Sequence, residues 1–178
     1  MRNVRTGCLL ALLLLIVTGC SLIQGSAAVP EAIVDRPEAT AEILTLTARD
    51  GTALEGKLRL PPGAAVGKLV LYVHDAGPNT YDQRLSTGDL RYESLDLFAE
   101  ALTGRGIAFF SYNTRGVSPG QEGSEAAVMD PAVYATYLPG SEAEDVGRMI
   151  QTLKELPALQ GAKVYLLGWG TGTAVAAQ

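Results

Sequence analysis

Three near-continuous apolar runs limit what this chain can become: KLVLYVHD (68–75), GIAFFSYN (106–113) and AKVYLLGW (162–169). Each is short, rich in β-branched and aromatic residues, and apolar at successive positions. A strand with one wet face alternates; a strand covered on both faces does not, so these runs predict the inner strands of a parallel sheet. Helical patterns lie between them. Leu95, Phe98, Ala101 and Leu102 would share one helix face, stopped by Gly104 or Gly106. Val146, Met149, Ile150, Leu153 and Leu156 repeat at helical spacing behind a Ser141/Glu144 capping box, and Pro157 would end that helix. Upstream, Ile43 to Thr47 and Ala53 to Leu60 alternate around Asp50-Gly51, a hairpin signal. The expected fold class is therefore α/β: an opening β-hairpin followed by β-α-β-α-β, with a mostly parallel sheet.

The first residues obey other rules. MRNVRTGCLLALLLLIVTGC joins a basic start at Arg2 and Arg5 to an apolar run that ends in small residues before Cys20. That is the layout of a secretory signal, and the apolar run of roughly ten residues is short of the ~20 needed to span a bilayer. Val17-Thr18-Gly19-Cys20 resembles a bacterial lipobox, which implies cleavage before Cys20 and its lipidation. The expected layout is a lipoprotein signal peptide at 1–19, a lipid-anchored tether at 20–40 and an incomplete catalytic-type domain at 41–178. The location it implies is the bacterial cell envelope, on the periplasmic or extracellular face. Removing Cys8 with the signal and acylating Cys20 would leave no free thiol for an oxidising compartment. A net charge of −5 without clustered Lys or Arg argues against a nucleic-acid partner.

Four segments, in order, resemble the α/β-hydrolase family of serine esterases, lipases and aminopeptidases: DGTALEGKLRLPPG, VLYVHDAGP, FAEALTGRGIAFFSYNTRGVSPG and DVGRMIQTLKELPALQGAKVYLLGWGTG. The resemblance runs from about Ile43 to Gln178 and implies the N-terminal half of that fold. It assigns Gly168, Trp169, Gly170, Thr171 and Gly172 to the turn that carries the family's nucleophile, with Gly170 at the nucleophile position. It assigns the backbone N–H groups of Ala76 and Thr171 to an oxyanion hole, and His74 and Gly77 to the support of the loop that supplies the first of them. Asp75 stands where the family has glycine. His74, the sole histidine, is expected to brace the loop and not to act as a base. Trp169 is expected to pack over the turn, and Arg115 to fix its own loop by hydrogen bonding. Asp130, Glu142, Glu144 and Asp145 read as solvated charges near helix starts.

With glycine at the nucleophile position and no later acid or histidine in the sequence, this chain is expected to be inactive itself. It would be the front part of an envelope hydrolase acting on ester or amide bonds. The other reading is a pseudo-hydrolase lipoprotein that binds a small apolar ligand or a protein partner. No metal-ligand spacing or phosphate loop occurs, so neither metal nor cofactor is expected.

Overall fold

The computed structural model describes residues 39–178 except 64, 122, 123 and 125. The signal segment, Cys20 and nearly all of the tether lie outside the described residues. The described part opens with β1 (Thr40–Thr47) and β2 (Ala53–Leu60), an antiparallel pair in register from Thr40↔Leu60 to Thr47↔Ala53. The turn between them has the chemistry its sequence announces. Asp50 Oδ1 accepts from Thr52 N–H at 3.0 Å, and Gly51 takes φ +88°, a left-handed conformation that glycine adopts without penalty.

The remaining elements are β3 (Lys68–Val73), a hairpin of β4 (Arg84–Thr87) and β5 (Leu90–Glu93), helix α1 (Ser94–Thr103) and β6 (Ala108–Tyr112). A small pair, β7 (Val117–Ser118) with β8 (Val128–Met129), precedes the short α2 (Pro131–Tyr134) and the long α3 (Pro139–Glu155). After a 3-10 turn at Pro157–Leu159 come β9 (Lys163–Gly168) and α4 (Gly172–Ala176). The main sheet has the order β1-β2-β6-β3-β9. β6, β3 and β9 run parallel, and β2 is antiparallel to both its neighbours. The three apolar runs are thus the three parallel strands.

Both faces of β3 and β6 are covered, which explains their unbroken apolar pattern, whereas β9 leaves Tyr165, Leu166 and Leu167 exposed. On one face Leu58, Leu69, Leu71, Val73 and Phe110 pack with Val146, Met149 and Leu153 of α3 and with Val175 of α4. On the other, Tyr72 and Phe109 pack with Leu95 and Ala99 of α1. Neighbours in sequence, Leu71 and Tyr72 or Phe109 and Phe110, therefore serve separate cores.

Three local expectations need correction. Helix α1 buries Leu95, Ala99 and Thr103, whereas Phe98 is 51% exposed and Ala101 is exposed. The helix meets the sheet through Leu95, Ala99 and the partly buried Leu102, packed with Tyr72 and Phe109. Helix α3 starts earlier than the Ser141/Glu144 box implied, with Leu138 as N-cap and Pro139 at the first position. Ser141 Oγ accepts from Leu138 N–H at 2.9 Å, so serine occupies the third helical position, not the cap. Finally, Glu142 and Asp145 are not solvated; each is 3% exposed. Glu142 accepts from the hydroxyls of Tyr112 (2.7 Å) and Tyr137 (2.8 Å), and Asp145 pairs with Arg115. Glu144 is exposed, and Asp130 caps α2 by accepting from Ala132 and Val133 N–H.

Candidate functional site

The site lies at the carboxyl ends of β3 and β9, where the two strands are parallel neighbours. Past Gly168 the chain turns sharply. Trp169 N–H still donates to Val73 O at 2.9 Å, Gly170 has φ +55°, and α4 begins at Gly172. The glycines have steric reasons. A Cβ on Gly172 would lie 2.3 Å from Val73 O and 2.4 Å from His74 O; one on Gly168 would lie 2.6 Å from Thr173 Cα. These are backbone atoms that cannot step aside, so only glycine lets the helix start this close to the strand end.

Asp75 stands at the centre of the turn. Its Oδ1 accepts from Ala76 N–H (2.8 Å), Thr171 N–H (2.8 Å) and Thr171 Oγ1–H (2.9 Å). The two backbone groups assigned to an oxyanion hole by resemblance thus converge on a single oxygen, and that oxygen belongs to the protein. Thr171 Oγ1 also accepts from Ala76 N–H at 2.8 Å. The Thr171 bonds, its N–H first, hold the Asp75 carboxyl below the usual carboxylate range. A Cβ on Gly170 would lie 2.2 Å from Asp75 Cγ and 2.4 Å from each of its oxygens.

Below this turn His74 is buried, its ring 4.5 Å from that of Tyr112. Nε2 lies 3.2 Å from Tyr112 O and Nδ1 lies 3.4 Å from Asn79 Nδ2. A neutral ring protonated on Nε2 satisfies both contacts, donating to the carbonyl and accepting from the amide. Asn79 Nδ2–H also donates to Asp75 O at 2.6 Å and to Gly77 O at 3.2 Å. Gly77, at φ +131°, has its carbonyl held by Thr114 Oγ1–H as well. The loop is therefore fastened from beneath by His74, Asn79 and Thr114. Sequence reasoning did not assign Asn79, Thr114, Tyr112 and Tyr137 to the support of this loop and read Glu142 as solvated; only the fold brings these residues together beneath it.

Burial pushes the His74 pKa down to about 4 and raises that of Glu142. Because the unfolded imidazole titrates near 6.5, the unfolded chain binds a proton that the native one refuses between about pH 6.5 and 4. Stability contributed by the neutral ring is complete above that window and falls as pH drops through it, by roughly 3 kcal/mol in total. Urea unfolding at pH 7.5 and 4.5 reads this, and a His74→Gln variant should show a flatter dependence over the same window.

Trp169 does not pack over the turn; it is 66% exposed. Arg115 is buried and fixes its loop, donating to Asp145 and, through one terminal nitrogen, to Asp50 at 2.6 Å. Two surface clefts of about 460 Å³ open elsewhere, one beside Arg49 and Arg148 and one beside Asn113 and Val133; neither is lined by Ala76 or Thr171. Among the described residues, Asp82, Glu93 and Asp96 bring carboxylate oxygens within 4.8 Å of one another. Lys57 Nζ contacts all three, and Arg59 pairs with Asp96, so protein cations already balance that cluster.

No family model and no curated protein matches the chain. Solved structures do. A dienelactone hydrolase from Anabaena variabilis aligns over 79% of this chain and 56% of its own, at 22% identity and a TM-score of 0.55. An alpha-beta serine hydrolase homologue from Coxiella burnetii aligns over 76% and 55%, at 17% identity and a TM-score of 0.52. A cold-adapted esterase from an Arctic intertidal metagenomic library aligns over 77% and 53%, at 19% identity and a TM-score of 0.50. The chain spans little more than half the length of each. Its mostly parallel sheet, with helices on both faces and a glycine turn after β9, has the α/β-hydrolase fold in part.

Proposed function

We propose that this chain is the front part of a cell-envelope α/β-hydrolase of the ester- or amide-cleaving kind, tethered to a membrane through lipidated Cys20, and that it does not itself turn substrate over. The observation that carries the reading is Gly170: the tightest point of the strand-to-helix turn bears no attacking atom. Neither neighbour supplies one. Thr171 Oγ1 is tied to Asp75 and to Ala76 N–H, and the one carboxylate that accepts its hydrogen bond is held below the usual carboxylate range, which makes it a poor base for activating a hydroxyl. In a serine hydrolase, loss of the nucleophile costs on the order of 10⁶ in turnover. His74, buried and neutral, cannot reach a substrate to serve as base.

The expected result is no covalent labelling by a fluorophosphonate probe and no p-nitrophenyl acetate hydrolysis above the buffer rate. Labelling of the purified chain, or turnover abolished by Thr171→Ala, would overturn the inactivity. The anchoring has its own readout in the same preparation, since Cys20→Ser should move the protein from the membrane to the soluble fraction. A second reading, a pseudo-hydrolase that binds a small apolar ligand or a protein partner, is favoured by the exposed side chains of Tyr165, Leu167 and Trp169 on β9 and its turn. Contiguous exposed apolar surface of that kind often marks binding.

A further inference from the structure

We propose that Asp75 and Gly170 form an interlocked pair, in which the Asp75 carboxylate is a built-in occupant of the two-amide cradle and fills the volume that a side chain at position 170 would need. The inference rests on the reading of the turn as hydrolase-type, and it goes further: the cradle is closed by the protein itself.

Two features look independent in the sequence, an acidic residue after His74 and a glycine 95 positions later. They meet in space. The carboxyl carbon of Asp75 stands 2.2 Å from the place of a Cβ at residue 170, and both carboxylate oxygens stand 2.4 Å from it. No real Cβ tolerates those separations, so while the Asp75 carboxylate is seated on Thr171 position 170 can hold only glycine, and a side chain there requires the carboxylate to move. The reverse dependence also holds, because it is the missing side chain at 170 that lets Asp75 reach Thr171.

An aspartate in a turn commonly accepts from a nearby N–H, and the Ala76 bond is of that local kind. The Thr171 bonds are not; they cross from one loop to another between residues far apart in sequence. Three donors converge on one anionic oxygen, which makes the contact charge-assisted and joins the β3 loop to the start of α4. Thr171 N–H has no other acceptor in the structure. Any ligand that needs both amides must first displace the carboxylate. The carboxylate is therefore a latch that fills the cradle and fastens the β3 loop to the start of α4.

A double-substitution cycle tests the pair. Gly170→Ala, Asp75→Ala and the combined variant are compared by thermal unfolding. In the Asp75 background Gly170→Ala should lower Tm by about 5 °C or more, combining the left-handed strain of alanine with the collision. In the Asp75→Ala background only the strain remains, and the loss should shrink to roughly half or less. Equal losses in the two backgrounds would overturn the proposal. Should Gly170→Ala fail to fold with Asp75 present, folding of the combined variant supports the pair and failure of both counts against it. Hydrogen exchange gives a second readout that needs no change at 170. The Thr171 amide should exchange about tenfold faster in Asp75→Ala than in the unaltered protein, and an unchanged rate would remove the latch. Fluorophosphonate labelling bears on inactivity alone, so the two readings fail separately.

Discussion

Asp145→Ala is expected to lose about 3–5 kcal/mol of stability, a large share of the ~5–15 kcal/mol that holds a domain of this size together. Asp145 and Arg115 form a two-pronged pair, Nε to Oδ2 at 2.5 Å and a terminal nitrogen to Oδ1 at 2.8 Å, and both side chains are buried. Such a pair gains little over a well-packed apolar substitute, because both charges gave up water to form it. Removing one partner is another matter, since it strands the guanidinium in a space without solvent. The other guanidinium contacts cannot compensate. Thr52 and Thr136 are neutral, and Asp50 is itself mostly in solvent, where water screens the ion pair. Urea denaturation followed by circular dichroism should therefore rank the variants: Asp145→Ala worst, Asp145→Asn intermediate because it keeps one acceptor, and Asp50→Ala mildest. A small effect of Asp145→Ala would mean that Arg115 finds water once its partner is gone, contrary to its burial.

Phe110→Ala should have an effect of similar size, about 3–5 kcal/mol, for an unrelated reason. Phe110 is fully buried in the middle of β6, with its ring across the sheet surface towards Gly56 of β2. A Cβ on Gly56 would stand 2.2 Å from the tip of the ring. The ring thus occupies the space that other residues at position 56 would use, and truncating it opens a cavity bordered by sheet backbone that cannot collapse. Gly56→Ala alone should also destabilise, by roughly 1–3 kcal/mol, because the ring must move. Combining Gly56→Ala with Phe110→Leu should cost less than the sum of the two measured singly. Simple additivity would show that the ring and the glycine do not share that space.

β3, β6 and β9 coincide with the three apolar runs, and for β3 and β6 burial on both faces is the reason the pattern is unbroken; β9 carries the same pattern although Tyr165, Leu166 and Leu167 are exposed. The glycine turn was equally legible, since its demand for small residues arises within a few positions of itself. Helix α1 was placed but its inward face was misjudged. Periodicity favours Phe98 over Ala99, whereas the neighbouring strand accepts the smaller residue. Glu142 and Asp145 looked like surface charges because nothing local distinguishes a carboxylate that will meet Tyr112 and Tyr137, or Arg115, from one that will meet water. The contact between Asp75 and Thr171 was illegible for the same reason. It joins residues 96 positions apart and is created by the parallel pairing of β3 with β9.

The near-coincidence of the Asp75 carboxyl group with the space above Gly170 also couples the two positions in any redesign of this turn. A serine placed at 170 meets the carboxylate unless Asp75 swings off Thr171, and that swing gives up the bonds that fasten the β3 loop to α4. Substituting position 170 alone therefore exchanges one feature of the turn for another, and the two positions have to be changed together.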